Sequence, residues 1–150
     1  MDTLAYGYGG LAIIAFLAAT VLPLSSELAV AALLQQGYPA SGLLMVATLA
    51  NLAGACTTYL LGTLVRQQLW QRFFSLSTTE LSRAGHWFHR YGPAALLLSW
   101  LPVIGDLLVA AAGVFRVPWA IFLPWVLTGK LLRYAAVIGL TDLALKTTGA

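Results

Sequence analysis

The sequence predicts an all-α integral membrane protein with two opposed re-entrant helical hairpins, each followed by a transmembrane helix, and a cytoplasmic amphipathic helix. Of its 150 residues, 60% are hydrophobic and only 9% are charged, whereas soluble domains carry about a quarter charged residues. Its apolar stretches exceed the roughly 10–14 residues of a soluble core helix. One apolar segment, Leu22–Ala32, also recurs as Leu101–Ala111. These three observations predict the fold class.

The repeated segment places a proline four positions before a carboxylate. Pro23 and Glu27 recur as Pro102 and Asp106, and positions 23 and 102, like 27 and 106, differ by 79, about half the chain. A carboxylate inside an apolar segment is costly and indicates a functional site. Matching interrupted segments in two halves are typical of transporters built from inverted repeats. The repeat therefore predicts both the architecture and the site.

The first half-repeat is expected at about 4–65. An apolar stretch over 3–26 is broken at Pro23, and residues 28–36 lead to a polar turn at Gln35–Pro39. Residues 42–65 carry no charge and are long enough to cross the membrane. Each hairpin arm of about 10–13 residues reaches only halfway across a hydrocarbon core of about 30 Å.

A basic segment, 66–92, joins the halves. Ser77–Glu80 is a capping-box sequence that predicts the start of a helix. Apolar residues then follow at helical spacing, which indicates an amphipathic helix on the membrane surface. Its arginines predict a cytoplasmic location, and Tyr91-Gly92-Pro93 is expected to end it.

The second half-repeat, about 93–142, is interrupted at Pro102–Asp106 and turns at Arg116–Trp119 before a last apolar segment from about 119 to 140. Four complete crossings are an alternative topology. Basic residues do not distinguish the two, since the hairpin topology leaves only Lys146 outside and four crossings leave only Arg116 outside. The repeat favours hairpins, because irregular backbone at that depth is tolerated where it is buried or lines a wet cavity.

Four charged residues are expected at one depth in the membrane. The same offset that relates Glu27 to Asp106 relates Asn51 to Lys130, and Arg133 lies three residues further on the same helix face. Lysine and arginine bind phosphate, and a low dielectric favours the protonated carboxyl group. The pattern predicts a polar cavity for a phosphorylated group; the alternative is that the charges pair and only hold the helices together.

The remaining polar residues give weaker indications. Ser25, Ser26 and Ser99 are expected to satisfy the backbone of the broken helices, with Gly105 supporting the second hairpin. The sequence lacks a nucleophile–base set and a metal-ligand cluster, so we expect no enzyme, no cofactor and no metal. The net charge of +3 is attributed to topology and not to nucleic-acid binding.

Several spaced motifs resemble a known family. They are Pro-x-x-x-Glu at Pro23, Asn51…Tyr59-x-x-Gly62, Arg90-Tyr91-Gly92 leading into Ser99–Asp106, and Gly129–Tyr134. Together they resemble the DedA superfamily, also called SNARE-associated or VTT-domain proteins, and its short YqaA-like branch in particular. The resemblance covers about 15–140. It implies opposed re-entrant hairpins, a bacterial inner-membrane location, and transport or flipping of lipids such as undecaprenyl phosphate, linked to the proton motive force.

The sequence departs from that family at the second hairpin. Larger members carry Arg-Phe-x-Pro-x-x-Arg there, and Ser99 and Gly105 stand at the arginine positions; Asn51 lies near the place of a common acid. The resemblance implies a proton-coupled transporter or flippase for a polyprenyl phosphate or phospholipid. A small-ion or solute carrier, or a non-transporting structural or assembly factor, are the alternatives. So small a chain is compatible with a homo-oligomer.

Overall fold

The computed structural model describes residues 2–20, 25–64, 78–101 and 104–148, and every regular element within these ranges is helical. The predicted all-α class is therefore confirmed. The elements are α1 (Asp2–Ala18), α2 (Ser26–Gln35), α3 (Ala40–Leu64), α4 (Thr78–Leu97), a 3₁₀ turn (Leu98–Trp100), α5 (Ile104–Val114) and α6 (Trp119–Thr148).

Two of the helices are long and two are short. Helices α3 and α6 have 25 and 30 residues and are long and apolar enough to cross a membrane. Helices α2 and α5 have only 10 and 11 residues. At about 1.5 Å per residue, each of these short helices covers roughly half of a hydrocarbon core of about 30 Å.

Helix boundaries recur at the offset seen in the sequence. Helix α1 ends at position 18 and α4 at 97, α2 ends at 35 and α5 at 114, and α3 begins at 40 and α6 at 119. Each of these pairs differs by 79 positions. Hence the repeat extends beyond the proline–acid motif to the ends of α1 and α2 and the start of α3.

The turns after α2 and α5 are alike down to their backbone hydrogen bonds. Gly37 N–H donates to Leu34 O at 3.0 Å, and the equivalent Arg116 N–H donates to Gly113 O at 3.0 Å. The next residue in each turn donates to the carbonyl five positions back, at 3.1 and 2.9 Å. This bonding is a Schellman motif, which requires a left-handed residue at its centre. Gly37 has φ 85° and Arg116 has φ 52°.

One predicted helix boundary is wrong. Helix α4 continues through Tyr91-Gly92-Pro93 to Leu97, so the expected surface helix and the first arm of the second hairpin form one helix. Proline removes a single backbone hydrogen bond, a loss that membrane helices tolerate. Gly92 packs against the buried Phe88 ring, where an added Cβ would lie 2.9 Å from Phe88 Cδ1. Ser77, at the predicted helix start, lies outside the described residues.

The chain divides into two compact units. The first comprises Met1–Gly54 and Lys130–Ala150. Its core takes side chains from α1, α2, α3 and α6, namely Leu11, Val30, Leu43, Ala47 and Tyr134. At Gly54, an added Cβ would collide with the backbone carbonyl of Phe16, so glycine allows α3 to lie directly against α1.

The second unit, Ala55–Gly129, is built around a tyrosine. The Tyr59 hydroxyl donates a 2.6 Å hydrogen bond to Val117 O, and its ring lies 4.4 Å from Trp119 and 4.6 Å from Phe122 between centroids. Nearby, α3 and α5 approach so closely that a Cβ on Gly113 would collide with Tyr59 O. Small residues permit such contacts between membrane helices.

We expect Gly113→Ala to lower the free energy of unfolding by about 1–3 kcal/mol, because the new methyl group forces α3 and α5 apart. Thermal unfolding of the purified protein in detergent measures this change. Gly139→Ala is the matched control, since nothing lies within 4 Å of a Cβ at that position of α6. Equal losses in both variants, or none in Gly113→Ala, would contradict this packing.

Candidate functional site

An acid on α2 and a base on α6 form an ion pair in the first unit. Glu27 Oε1 accepts from Arg133 Nη2, and the two side chains are 28% and 14% exposed. Glu27 lies in the first turn of α2, where the helix dipole favours negative charge. The helix dipole therefore stabilises the charge of Glu27, and both side chains of the pair remain partly exposed.

A second contact lies directly beside the ion pair. Ser26 Oγ and the Tyr134 hydroxyl are 2.8 Å apart, and both residues are fully buried. Two consecutive residues of α2 thus contact two consecutive residues of α6. Sequence reasoning missed Tyr134, although its place immediately after Arg133 and four residues after Lys130 puts it on the same face as Lys130.

The predicted role of the three serines, to satisfy the backbone of the broken helices, stays a prediction, because the breaks at 21–24 and 102–103 lie outside the described residues. Ser26 bonds to Tyr134, and the exposed Ser25 makes no side-chain capping bond to α2. Ser99 is fully buried, but its hydroxyl has no hydrogen-bond partner within the described residues. Beside the second break, a turn hydrogen bond joins Gly105 N–H to Leu101 O at 2.9 Å.

Lys130 is fully buried in the first unit. It lies three residues before Arg133 and four before Tyr134, so the three side chains share one face of α6. A lysine at the centre of a membrane helix costs about 2.5–3.5 kcal/mol or more. Its predicted depth in the membrane and its predicted contact with a headgroup stay predictions.

Polar side chains on α3 contact α1. Asn51 Nδ2 donates a 2.8 Å hydrogen bond to Ala15 O, and Asn51 is 1% exposed. Its Oδ1 atom and the hydroxyl of the buried Thr48, three residues earlier, have no hydrogen-bond partner in the described part of the chain. Thr48 was not among the predicted residues, although its position three residues before Asn51 places both side chains on one face of α3.

The second unit holds the other predicted acid, Asp106, half-buried in the first turn of α5. The adjacent Gly105 is buried against the 3₁₀ turn, and an added Cβ there would lie 2.9 Å from Ser99 Cα and closer still to the Ser99 carbonyl. Position 105 therefore has no room for a side chain.

The two predicted prolines, Pro23 and Pro102, lie outside the described residues. Within residues 2–20, 25–64, 78–101 and 104–148, no group of three or more histidine, cysteine, aspartate or glutamate side chains is arranged to hold a metal ion.

Comparison with known proteins identifies the family. The model of the VTT domain matches residues 22–143. Inner membrane protein YqaA of Escherichia coli K12, like that of Shigella flexneri, is 40% identical over 129 residues, covering 84% of both chains. A Haemophilus influenzae protein is 38% identical over 135 residues, covering 85% of this chain and 82% of its own. No solved structure matches.

The domain match spans most of the chain, and the relatives align over nearly their whole length. The two long apolar helices agree with a membrane location. The resemblance drawn from the motifs is confirmed: this chain belongs to the VTT-domain, or DedA, family and is a bacterial inner-membrane protein.

Proposed function

We propose that this protein transports a lipid with a phosphate headgroup, a polyprenyl phosphate or a phospholipid, and that transport is coupled to protons. The observation that carries the proposal is the Glu27–Arg133 ion pair. Glu27 lies at the start of α2, a helix too short to cross the membrane. Arg133 lies on the face of α6 that also carries the buried Lys130. Intramembrane charges of this kind mark substrate and proton pathways.

The proposed topology has the segments α1–α2 and α4–α5 as re-entrant hairpins that enter the membrane from opposite faces. The short α2 and α5, and the recurrence of helix ends at one offset, support this inverted repeat. Helices α3 and α6 then cross completely, as their lengths allow. The basic beginning of α4 lies on the cytoplasmic side in this arrangement.

Exchange between a carboxylate and a phosphate supplies a mechanism. The guanidinium of Arg133 offers a fork of donors that fits either anion, and in the resting protein Glu27 occupies it. Protonation of Glu27 removes its charge and releases Arg133, so that a phosphate takes its place with Lys130 as the second cation. Loss of the proton restores the ion pair and expels the phosphate, so the site has the same net charge with ionised Glu27 as with protonated Glu27 and a singly charged phosphate.

Asp106 is the proposed second proton-exchanging group. It occupies the position in α5 that Glu27 occupies in α2, at the first turn of a short helix. Its neighbour Gly105 leaves no room for a basic side chain at that point. Phosphate binding is therefore assigned to Lys130 and Arg133 alone.

A structural role is the competing proposal. The Ser26–Tyr134 hydrogen bond ties α2 to α6 directly beside the ion pair, as expected if the charges only fasten these helices. A carrier of small ions or solutes would use the same acids. The experiments must therefore distinguish a loss of stability from a loss of transport. They must also distinguish transport of a phosphate lipid from transport of small ions or solutes.

We expect Glu27→Gln to reduce the pH dependence of phosphate-lipid transport in reconstituted vesicles, because a neutral amide cannot exchange a proton and Asp106 then remains as the other proton-exchanging group. Its stability should fall by only about 1 kcal/mol, as for a partly exposed ion pair. Tyr134→Phe is the matched control on the same contact. It should cost about 1 kcal/mol through the lost hydrogen bond and keep the pH dependence. A structural role predicts no difference in pH dependence between the variants.

Replacing both Lys130 and Arg133 with glutamine should weaken binding of a phosphate lipid about 10–100-fold, the worth of one strong charged hydrogen bond. Retention of labelled lipid by purified protein measures this. The exchange Glu27→Arg with Arg133→Glu restores an ion pair and with it stability, but moves the arginine to α2. Full transport by either the neutral or the exchanged protein would refute phosphate binding on α6. Loss of ion flux without loss of lipid binding would favour the small-ion carrier.

The topology predicts that the C-terminus lies outside the cytoplasm, because two hairpins and two crossings return both chain ends to the same side. A reporter fused after position 150 and active only in the periplasm should therefore give a signal. A reporter placed near position 78 should give none. A cytoplasmic C-terminus would exclude the hairpin topology.

A further inference from the structure

Arg116 adopts a backbone conformation that favours glycine. Its φ is 52° in the turn after α5, and Gly37 occupies the equivalent place after α2 with φ 85°. Both turns make the same backbone hydrogen bonds. An L-residue with a side chain is strained in the left-handed region, whereas glycine is not. The structure therefore shows an arginine where the backbone alone would select glycine.

The residues that follow Arg116 are held in place. Val117, the next residue, is fixed by the hydrogen bond from the Tyr59 hydroxyl to its carbonyl, at 2.6 Å, and by its own N–H to Ala112 O, at 2.9 Å. Trp119 in turn packs on the Tyr59 ring. Both sides of the turn are thus held while Arg116 remains exposed.

Ion pairs among the described residues do not explain the arginine, although its charge also acts on the nearby Tyr59. Among the described residues, no carboxylate forms an ion pair with Arg116. The turn leads into α6, one of the two helices long enough to cross the membrane, and Trp119 at its start is 39% exposed. A partly exposed tryptophan at the end of a membrane helix is typical of the headgroup level.

We propose that Arg116 binds the phosphate of an anionic phospholipid at the membrane surface, with Trp119 as the neighbouring interfacial anchor. The guanidinium fork fits a phosphodiester, and anionic lipid surfaces attract basic residues close to them. The retained charge accounts for the strained backbone. This site holds a lipid of the surrounding membrane and does not depend on what the protein transports.

Three substitutions separate strain from charge. Arg116→Lys keeps both, Arg116→Ala removes the charge and keeps the strain, and Arg116→Gly removes both. In vesicles of phosphatidylcholine alone, the Tm of Arg116→Gly should exceed that of Arg116→Ala by about 2–4 °C. When phosphatidylglycerol is added, the Tm of the wild type and of Arg116→Lys should rise. The alanine and glycine variants should show no rise and should bind phosphatidylglycerol about fivefold more weakly.

Lys146→Ala controls for net charge. It removes one positive charge from a side chain already paired with Asp142 at 2.6 Å, so its response to phosphatidylglycerol should equal that of the wild type. The proposal is overturned if the alanine and glycine variants respond like the wild type. It is also overturned if Lys146→Ala loses the response equally, or if Arg116→Gly is less stable than Arg116→Ala in phosphatidylcholine.

Discussion

The junction of α2 with α6 governs the first unit of this protein. A helix of only 10 residues has little surface with which to fix its own position, and apolar packing against lipid-like surroundings adds little direction. Here the first turn of α2 is bound at two consecutive residues, through the Ser26–Tyr134 hydroxyls and the Glu27–Arg133 charges. The contacts that locate the helix are therefore the same ones that bring an acid and a base together.

This combination explains why stability and function are hard to separate in such a site. The hydroxyl pair is fully buried, whereas the charged side chains keep 28% and 14% of their surface exposed. The buried hydrogen bond therefore fixes the junction while the adjacent ion pair remains reachable. An ion pair that alone held the helix could not open without releasing it. With Ser26 and Tyr134 beside it, α2 would stay in place during the proposed exchange of partners at Glu27.

Backbone architecture was more predictable from the sequence than side-chain contacts. The offset that relates Pro23 to Pro102 also relates helix ends and the two left-handed residues, because backbone conformation follows local sequence. Tyr91-Gly92-Pro93 was misleading, since a helix breaker of soluble proteins is tolerated in a membrane helix. Ser26 and Tyr134 are 108 positions apart in sequence, and no local pattern could reveal their contact.

The two halves share helix boundaries and turn geometry, but they differ in the side chains at equivalent positions. Ser26 has a buried hydroxyl partner, whereas its counterpart Gly105 packs against backbone and admits no side chain. In the turn that follows each of these helices, the glycine is in the first half. Gly37 is unstrained there, whereas the equivalent Arg116 carries a charge in a strained backbone conformation. A repeat under packing constraints alone would place glycine at both turns. The arginine there, and a buried lysine on α6 where α3 has Asn51, place positive charge in the second half at positions where the first half has none, as the proposed contacts with anionic lipid require.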